Sequence, residues 1–176
     1  QRVKAAGLST KGPACDVLWL DDSIGAILDR LRKNGALDNT IVFYFNDHGV
    51  ESGKGSLYQG GIKSTSFVWS AKGMKKGIKS KVNVSNIDFA PTILELCGVQ
   101  KPASYHIDGK SFVAVLNGDE SPIHDYLYFE IGATRAILKN NMKYLSFRVS
   151  DEAKNMSLAK RKEINPQNPN APFTHI

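Results

Sequence analysis

A run of β-branched and aromatic residues at positions 40–45 stops abruptly on Asn46, Asp47, His48 and Gly49. Such a run predicts a buried β-strand, and the glycine that follows it predicts a turn. In open α/β sheets, ligands bind outside the carboxyl ends of the strands. The sequence therefore predicts a metal or substrate site at Asp47 and His48, where this strand ends.

A lysine flanked by glycines follows the strand end closely. Lys54 lies between Gly53 and Gly55, six residues after His48. Because glycine adopts backbone conformations closed to other residues, this segment can fold back and bring the Lys54 charge over the strand end. A carboxylate and an imidazole beside a lysine outline a site for a phosphate or sulfate ester. Taken residue by residue, turn capping by Asp47 and a surface position for Lys54 are the more common interpretations.

The composition of the chain limits the classes of partner. With 41% hydrophobic and 23% charged residues, the 176-residue chain is typical of one globular domain or part of a larger one, and no apolar run is long enough to span a membrane. Its net charge of +6 favours acidic partners such as nucleic acid or anionic polysaccharide. The lysine-rich segment 72–81 has no interleaved aromatic residues, so we interpret it as a solvated loop and rank nucleic-acid binding last.

The cysteines and the chain start add little about function. Cys15 and Cys97 are too few for a disulfide framework or a zinc site, and Cys97 is expected in the core. The sequons at Asn83 and Asn155 would accept glycans only in a secretory context. The sequence opens at Gln1 without a signal-peptide pattern, so we expect the interior of a longer protein.

Periodicity and turn residues predict an α/β fold in two parts. Residues 1–15 are predicted as a connector and residues 49–63, termed the site loop, as irregular. The predicted elements are a helix around 20–31 closed by Gly35, strands at 40–46 and 66–70, a helix capped by Asp88 and closed by Gly98, a turn at 107–111, a short helix at 112–116, and strands at 126–131, 134–139 and 143–148. We expect several strands of a mixed sheet flanked by helices in residues 1–118, then a small antiparallel sheet in residues 119–176.

Several segments, in order along the chain, resemble the type I sulfatases of the alkaline phosphatase superfamily. They are Asp-Ser-Ile-Gly at 22–25, Asp-Asn-Thr-Ile at 38–41, Asn-Asp-His-Gly at 46–49, Lys-Gly-Ser-Leu-Tyr-Gln-Gly-Gly at 54–61, Ile-Asp-Phe-Ala-Pro-Thr at 87–92, Asp-Gly-Lys-Ser-Phe at 108–112, and Arg-Ala-Ile at 135–137 with Lys-Tyr at 143–144. Each segment alone is weak, but together and in register they indicate the family.

The resemblance implies a partial alkaline-phosphatase-like sheet and roles for three residues. Asp47 and His48 match two ligands of a divalent cation, which is usually Ca²⁺ in the family, with Mg²⁺ as an alternative. Imidazole also suits zinc or manganese, so His48 leaves the identity of the metal open. Lys54 matches the lysine that binds the sulfate group. His106 and Arg135 are weaker candidates for substrate contact, and Arg135 is also a candidate ion-pair partner of Glu130.

The resemblance also implies a nucleophile that this sequence lacks. The family uses a formylglycine made from Cys or Ser in a Cys/Ser-x-Pro-x-Arg segment, and the residues after Cys15 and Cys97 do not fit it. We therefore expect the C-terminal portion of a sulfuric ester hydrolase, inactive by itself and completed by an N-terminal part. The resemblance further implies a periplasmic, secreted or lysosomal compartment.

Substrate and activity leave alternatives open. The positive charge and the short site loop favour a sulfated carbohydrate, as in polysaccharide sulfatases, over a small aryl sulfate. A phosphonate or phosphodiester hydrolase of the same superfamily is the alternative within hydrolases. A non-catalytic protein that grips anionic glycans is the alternative outside them.

Overall fold

A computed structural model describes residues 2–9, 11–49, 53–132, 134–147 and 155–164. The helices are α1 (Arg2–Ala5), α2 (Pro13–Lys33), α3 (Gln59–Ile62), α4 (Phe89–Leu96), α5 (Val113–Leu116) and α6 (Leu158–Ile164), with 3-10 turns at Leu37–Asn39 and Asn86–Asp88. The strands are β1 (Ile41–Phe45), β2 (Ser66–Ser70), β3 (Leu127–Ile131), β4 (Thr134–Lys139) and β5 (Met142–Phe147). The predicted α/β class is confirmed. Within the described residues, no helix is long and apolar enough to cross a membrane.

The chain forms two compact units, of which the first comprises residues 1–43 and 68–74. Its main element is α2, which begins at Pro13, so the predicted connector at 1–15 is too long. Proline fits the first turn of a helix because its missing N–H has no helical partner there. Gly35, with φ of 68°, follows the end of α2, as predicted.

The second unit comprises residues 44–67 and 75–176 and contains the C-terminal sheet. Strands β3, β4 and β5 are antiparallel neighbours, as predicted. The turn between β4 and β5 consists of Asn140 and Asn141, at φ of 47° and 63°. Asparagine tolerates this left-handed region, which matches the twist of a two-residue hairpin. Arg148, the last residue of the predicted strand 143–148, lies outside the described residues.

Aromatic packing connects the end of β1 to the helices of the second unit. The Phe89 ring stacks on Phe45 at a centroid distance of 4.7 Å and meets Phe112 edge-on at 5.6 Å. The buried apolar residues among those described are Leu57, Phe112, Val115, Leu127 and Ala136. The core of this unit therefore joins the site loop, α5 and the C-terminal sheet.

A buried carboxylate holds three segments of the second unit together. Asp88 has no exposed surface and accepts hydrogen bonds from the backbone N–H groups of Ser85 at 2.7 Å and Lys110 at 2.8 Å. Nε2 of His124 lies 2.9 Å from both carboxylate oxygens. Asp88 occupies the N-cap position of α4, as predicted, but its side chain makes no cap hydrogen bond to that helix. It instead closes a capping box with Ser85, the N-cap residue of the preceding 3-10 turn.

Four predicted features differ from the structure. His124, predicted to be exposed, has a side chain only 10% exposed because it pairs with Asp88. Cys97, predicted in the core, is exposed because it caps the C-terminal end of α4. The site loop contains one helical turn, α3. Residues 107–111 have no assigned turn, and Gly109 lies close to the carbonyl of Ile87.

The larger sheet and the division at residue 118 stay predictions. In the described residues, β1 and β2 form a two-stranded sheet, and the boundary between the compact units passes through both strands. An alkaline-phosphatase-like sheet requires additional strands beside them.

Replacing Asp88 with Asn is expected to destabilise the protein. The new amide presents N–H donors to a site that contains two backbone donors, so at least one buried donor loses its acceptor. Such a loss costs about 1–3 kcal/mol. Urea denaturation measures the change, and Asp108→Asn, at a largely exposed side chain, is the matched control. Equal stability of the two variants would contradict this assignment of the carboxylate.

Candidate functional site

An open cleft of about 1670 Å³ lies within the second unit, at the end of β1. Its lining comes from the strand end at 45–48, from the site loop and the residues that follow it up to Ser66, from the segment 80–89, and from the C-terminal sheet. Asp47, His48 and Lys54 all line this cleft. The structure therefore brings the three sequence-predicted site residues to one cavity.

The strand end presents an oxygen and a nitrogen side by side. His48 Nδ1 lies 2.7 Å from the carbonyl oxygen of Gly49. A carbonyl can only accept, so this hydrogen bond requires the proton on Nδ1 and leaves the lone pair on Nε2. Nε2 lies 3.5 Å from Asp47 Oδ2, while Asp47 Oδ1 accepts the His48 backbone N–H at 3.1 Å. The side chains are 35% and 85% exposed, respectively, so both donor atoms are accessible to a ligand.

Close backbone contacts hold the site loop against the strand end. The N–H of Gly49 donates to the carbonyl of Gly61 at 2.8 Å. A Cβ on Gly49 would collide with the carbonyl of Gly60, and one on Gly61 would collide with the carbonyls of Gly53 and Ser56. These approaches are possible only without side chains, which explains why glycines recur in this segment.

Lys54 sits at an exposed turn of the same loop. Its neighbours Gly53 and Gly55 have φ of 120° and 78°, conformations that L-residues rarely adopt. The N–H of Ser56 closes the turn by donating to the carbonyl of Gly53 at 3.0 Å. Lys54 thus lies in a turn whose backbone is closed by a hydrogen bond.

The two weaker site candidates lie outside the lining of the cleft. His106 Nε2 is 2.8 Å from Asp108 Oδ1, and its side chain is 86% exposed. Arg135 forms an ion pair with Glu130 at 2.8 Å, as anticipated, and also donates to the carbonyl of Thr134 at 3.1 Å. Substrate contact by either residue stays a prediction.

Sequence reasoning missed two further cations of the cleft. Lys63 and Lys81 both line it. Lys63 follows α3 directly, and its N–H donates to the carbonyl of Gln59 at 2.9 Å. Lys81 belongs to the lysine-rich segment, and its backbone N–H lies 3.4 Å from Glu120. The position of Lys63 next to the glycines of the site loop could have indicated that it lines the cleft. No sequence feature indicated this for Lys81.

Asp47 and His48 supply only part of a metal site. Among the described residues, no three His, Cys, Asp or Glu side chains lie close enough together to hold one ion. A carboxylate oxygen and an imidazole nitrogen with a free lone pair are suitable donors for a divalent cation, so the chemistry of the pair fits. The remaining ligands would have to come from outside these residues.

Comparisons with known proteins identify the family of the chain. Residues 14–99 match the family model for sulfatases. The chain is 30% identical over 132 residues to the ulvan-active sulfatase of Formosa agariphila, an overlap that covers 72% of this chain and 22% of that protein. It is 32% identical over 136 residues to the N-acetylglucosamine-6-O-sulfatase of Bacteroides thetaiotaomicron, covering 70% of this chain and 24% of that enzyme.

An animal enzyme gives the same result over a shorter overlap. The chain is 37% identical over 109 residues to the N-acetylglucosamine-6-sulfatase of Bos taurus, covering 58% of this chain and 19% of that protein. The matched region spans about a fifth to a quarter of the length of these relatives. The family match and the relatives lead to one conclusion: the chain belongs to the type I sulfatase family.

Proposed function

We propose that this chain is the C-terminal part of a longer sulfatase that hydrolyses sulfate esters of a sulfated carbohydrate. The observation that carries the proposal is the convergence of Asp47, His48 and Lys54 on one cleft. The nucleophile, a formylglycine in the family, would be supplied by an N-terminal part, so that the chain alone is inactive. A secreted, periplasmic or lysosomal location belongs to the same proposal.

The surface of α2 supports the idea of a larger protein. Val17, Trp19 and Ile27 are 65%, 72% and 61% exposed, which is unusual for three large apolar side chains on one helix. In the proposed enzyme, β1 and β2 are strands of a larger alkaline-phosphatase-like mixed sheet whose helices include α2. Residues 1–118 then belong to the catalytic domain and residues 119–176 to a C-terminal subdomain.

A divalent cation, with Ca²⁺ as the first choice, would be held in part by Asp47 Oδ2 and His48 Nε2. When bound, the ion would withdraw charge from the ester oxygens. The hydrogen bond from Nδ1 of His48 to Gly49 fixes the tautomer that this role requires. The N–H of His48 donates to Asp47 Oδ1, so Oδ2 would be the oxygen available as a ligand.

Lys54 would bind the sulfate group and stabilise its charge. Negative charge shifts toward the leaving oxygen as the ester bond breaks, and a positioned ammonium lowers the energy of that state. The hydrogen bond from Ser56 to Gly53 closes the turn that carries Lys54. In this reading, the loop supplies orientation and Lys54 supplies charge.

The size and lining of the cleft favour a sulfated sugar over a small ester. Drug-sized ligands occupy pockets of about 300–1000 Å³, and this cleft measures about 1670 Å³. Its lining combines the aromatic side chains of Phe45 and Tyr128 with the cations Lys63 and Lys81. Aromatic faces pack against sugar rings, and the cations attract sulfate groups. Relatives named for ulvan and N-acetylglucosamine sulfate point the same way.

Substituting Lys54 tests the sulfate role. In the full-length protein, Lys54→Met is expected to lower kcat/KM on a sulfated glycan by about 10²–10³-fold, the usual loss when one charge-stabilising group is removed. Lys79→Met, at an exposed lysine that does not line the cleft, is the control. Steady-state assays on a sulfated glycan, an aryl sulfate and a phosphodiester measure the effect.

The same assays on the unmodified full-length protein test the substrate class. Activity confined to the aryl sulfate would contradict the carbohydrate assignment, and a preference for the phosphodiester would favour the alternative hydrolase.

Substituting Asp47 tests the metal site. Asp47→Asn removes one anionic ligand and is expected to weaken Ca²⁺ binding by about tenfold or more, because affinity follows the charge of the ligand set. Titration calorimetry of the full-length protein with Ca²⁺ alone measures it. Asp108→Asn, outside the cleft, should bind as the unmodified protein does. Unchanged affinity in Asp47→Asn would remove this residue from the site.

Substituting Gly61 tests the close packing of the site loop. The added methyl group in Gly61→Ala meets the carbonyl oxygens of Gly53 and Ser56, so we expect about 1–3 kcal/mol of destabilisation and a displaced Lys54. Gly25→Ala, in open space on α2, should be neutral or stabilising. Thermal unfolding and kcat/KM are the two measurements. Full stability and activity in Gly61→Ala would show that the loop has room there.

A further inference from the structure

Lys143 is a partly buried lysine on a strand of the C-terminal sheet. Along β5 its neighbours Met142 and Tyr144 are exposed, whereas Lys143 faces the opposite side and is half-buried. Burial lowers the pKa of Lys143, because the low-dielectric surroundings disfavour the charged form. Burying an ammonium group costs free energy unless hydrogen-bond acceptors in the protein compensate it.

The ammonium of Lys143 reaches the site loop. Nζ donates to the carbonyl oxygen of Leu57 at 3.2 Å and to Oε1 of Gln59 at 2.7 Å. It also lies 5.9 Å from the centroid of the Phe129 ring. The contacts with Leu57 and Gln59 join residues 86 and 84 positions apart in sequence. Through Lys143, the C-terminal sheet thus binds the loop segment that follows Lys54.

The bonds within the loop do not fix it to the C-terminal sheet. The turn closed by Ser56 on Gly53, and the contacts of Gly61 with Tyr58 and Lys63 with Gln59, span only three or four residues. Such local bonds set the internal shape of the loop. Lys143 adds a charge-assisted tie from a distant strand, and such hydrogen bonds are about twice as strong as neutral ones.

We propose that Lys143 is a positioning residue, which fixes the site loop and thereby the place of Lys54 in the cleft. The tie itself stands on geometry, while its effect on catalysis rests on the proposed sulfatase function. Leu57, whose carbonyl is one acceptor, is itself buried, so its side chain also anchors the loop in the core. Gln59 begins α3, so the second acceptor fixes the start of that helical turn.

The test combines hydrogen exchange with kinetics on the full-length protein. We expect Lys143→Met to raise amide exchange in peptides covering residues 53–63 by about tenfold, because one or two hydrogen bonds to a charged donor are lost. Exchange in β3 and β4 should stay unchanged. Lys143→Arg keeps the charge and several donors, so it should restore most of the protection. Lys139→Met, at an exposed lysine of the same sheet, is the matched control.

A second variant approaches the tie from the loop. Gln59→Leu removes the other partner at an exposed position, and its effect on exchange in residues 53–63 should not add to that of Lys143→Met. Unchanged exchange in the loop, or a uniform rise throughout the second unit, would overturn the proposal. Fully additive effects of the two substitutions would do the same.

The kinetic readout separates this proposal from the function on which it rests. If the loop becomes labile in Lys143→Met and kcat/KM for the sulfate ester falls about tenfold, with rescue by Lys143→Arg, positioning is confirmed. If the loop becomes labile while the unmodified full-length protein hydrolyses no sulfate ester, the tie stands and the proposed function fails. Unaltered kcat/KM in a protein whose loop is labile would overturn the link to Lys54.

Discussion

The second unit depends on the buried carboxylate of Asp88. A carboxylate without exposed surface is tolerated only when its oxygens are fully hydrogen-bonded, and here Ser85, Lys110 and His124 supply the partners. The carboxylate is therefore stable only when three segments are in place together. Ser85 belongs to one side of the cleft, and His124 lies three residues before β3 on another. One charged group thus sets how these sides of the cleft are spaced.

At the candidate site, close packing of the backbone determines the geometry. Gly49 and Gly61 bring backbone segments so close that any Cβ would collide with a carbonyl, and the hydrogen bond between them fastens the loop to the strand end. Contacts of this kind leave no room for a side chain at either position. The main chain in this way limits the separation between the Asp47–His48 pair and Lys54, and the side chain of Lys143 adds a tie to the same loop.

Local features of the structure were predictable from sequence, and distant contacts were not. The strand before Asp47, the helix that follows Asp88 and the Asn140–Asn141 hairpin depend on neighbouring residues, which leave a pattern in the sequence. His124 pairs with Asp88 across 36 positions, and Lys143 reaches Leu57 across 86. No periodicity records such pairings, so a histidine predicted at the surface proved to be buried. The three candidate site residues were identified because Asp47 and His48 follow a strand end and Lys54 lies between two glycines, although their roles came from the family resemblance.

The charged groups of this unit divide by how their charge is compensated. Asp88 and Lys143 are removed from water to different degrees, and each has protein partners aimed at it. Asp47 and Lys54 instead remain exposed on the cleft. Burial with partners gives rigidity, because moving such a group leaves donors or acceptors unpaired. Exposure keeps a charge accessible to an ion or an ester. A rigid frame of compensated charges around a few exposed ones is the arrangement that preorganised electrostatic stabilisation requires.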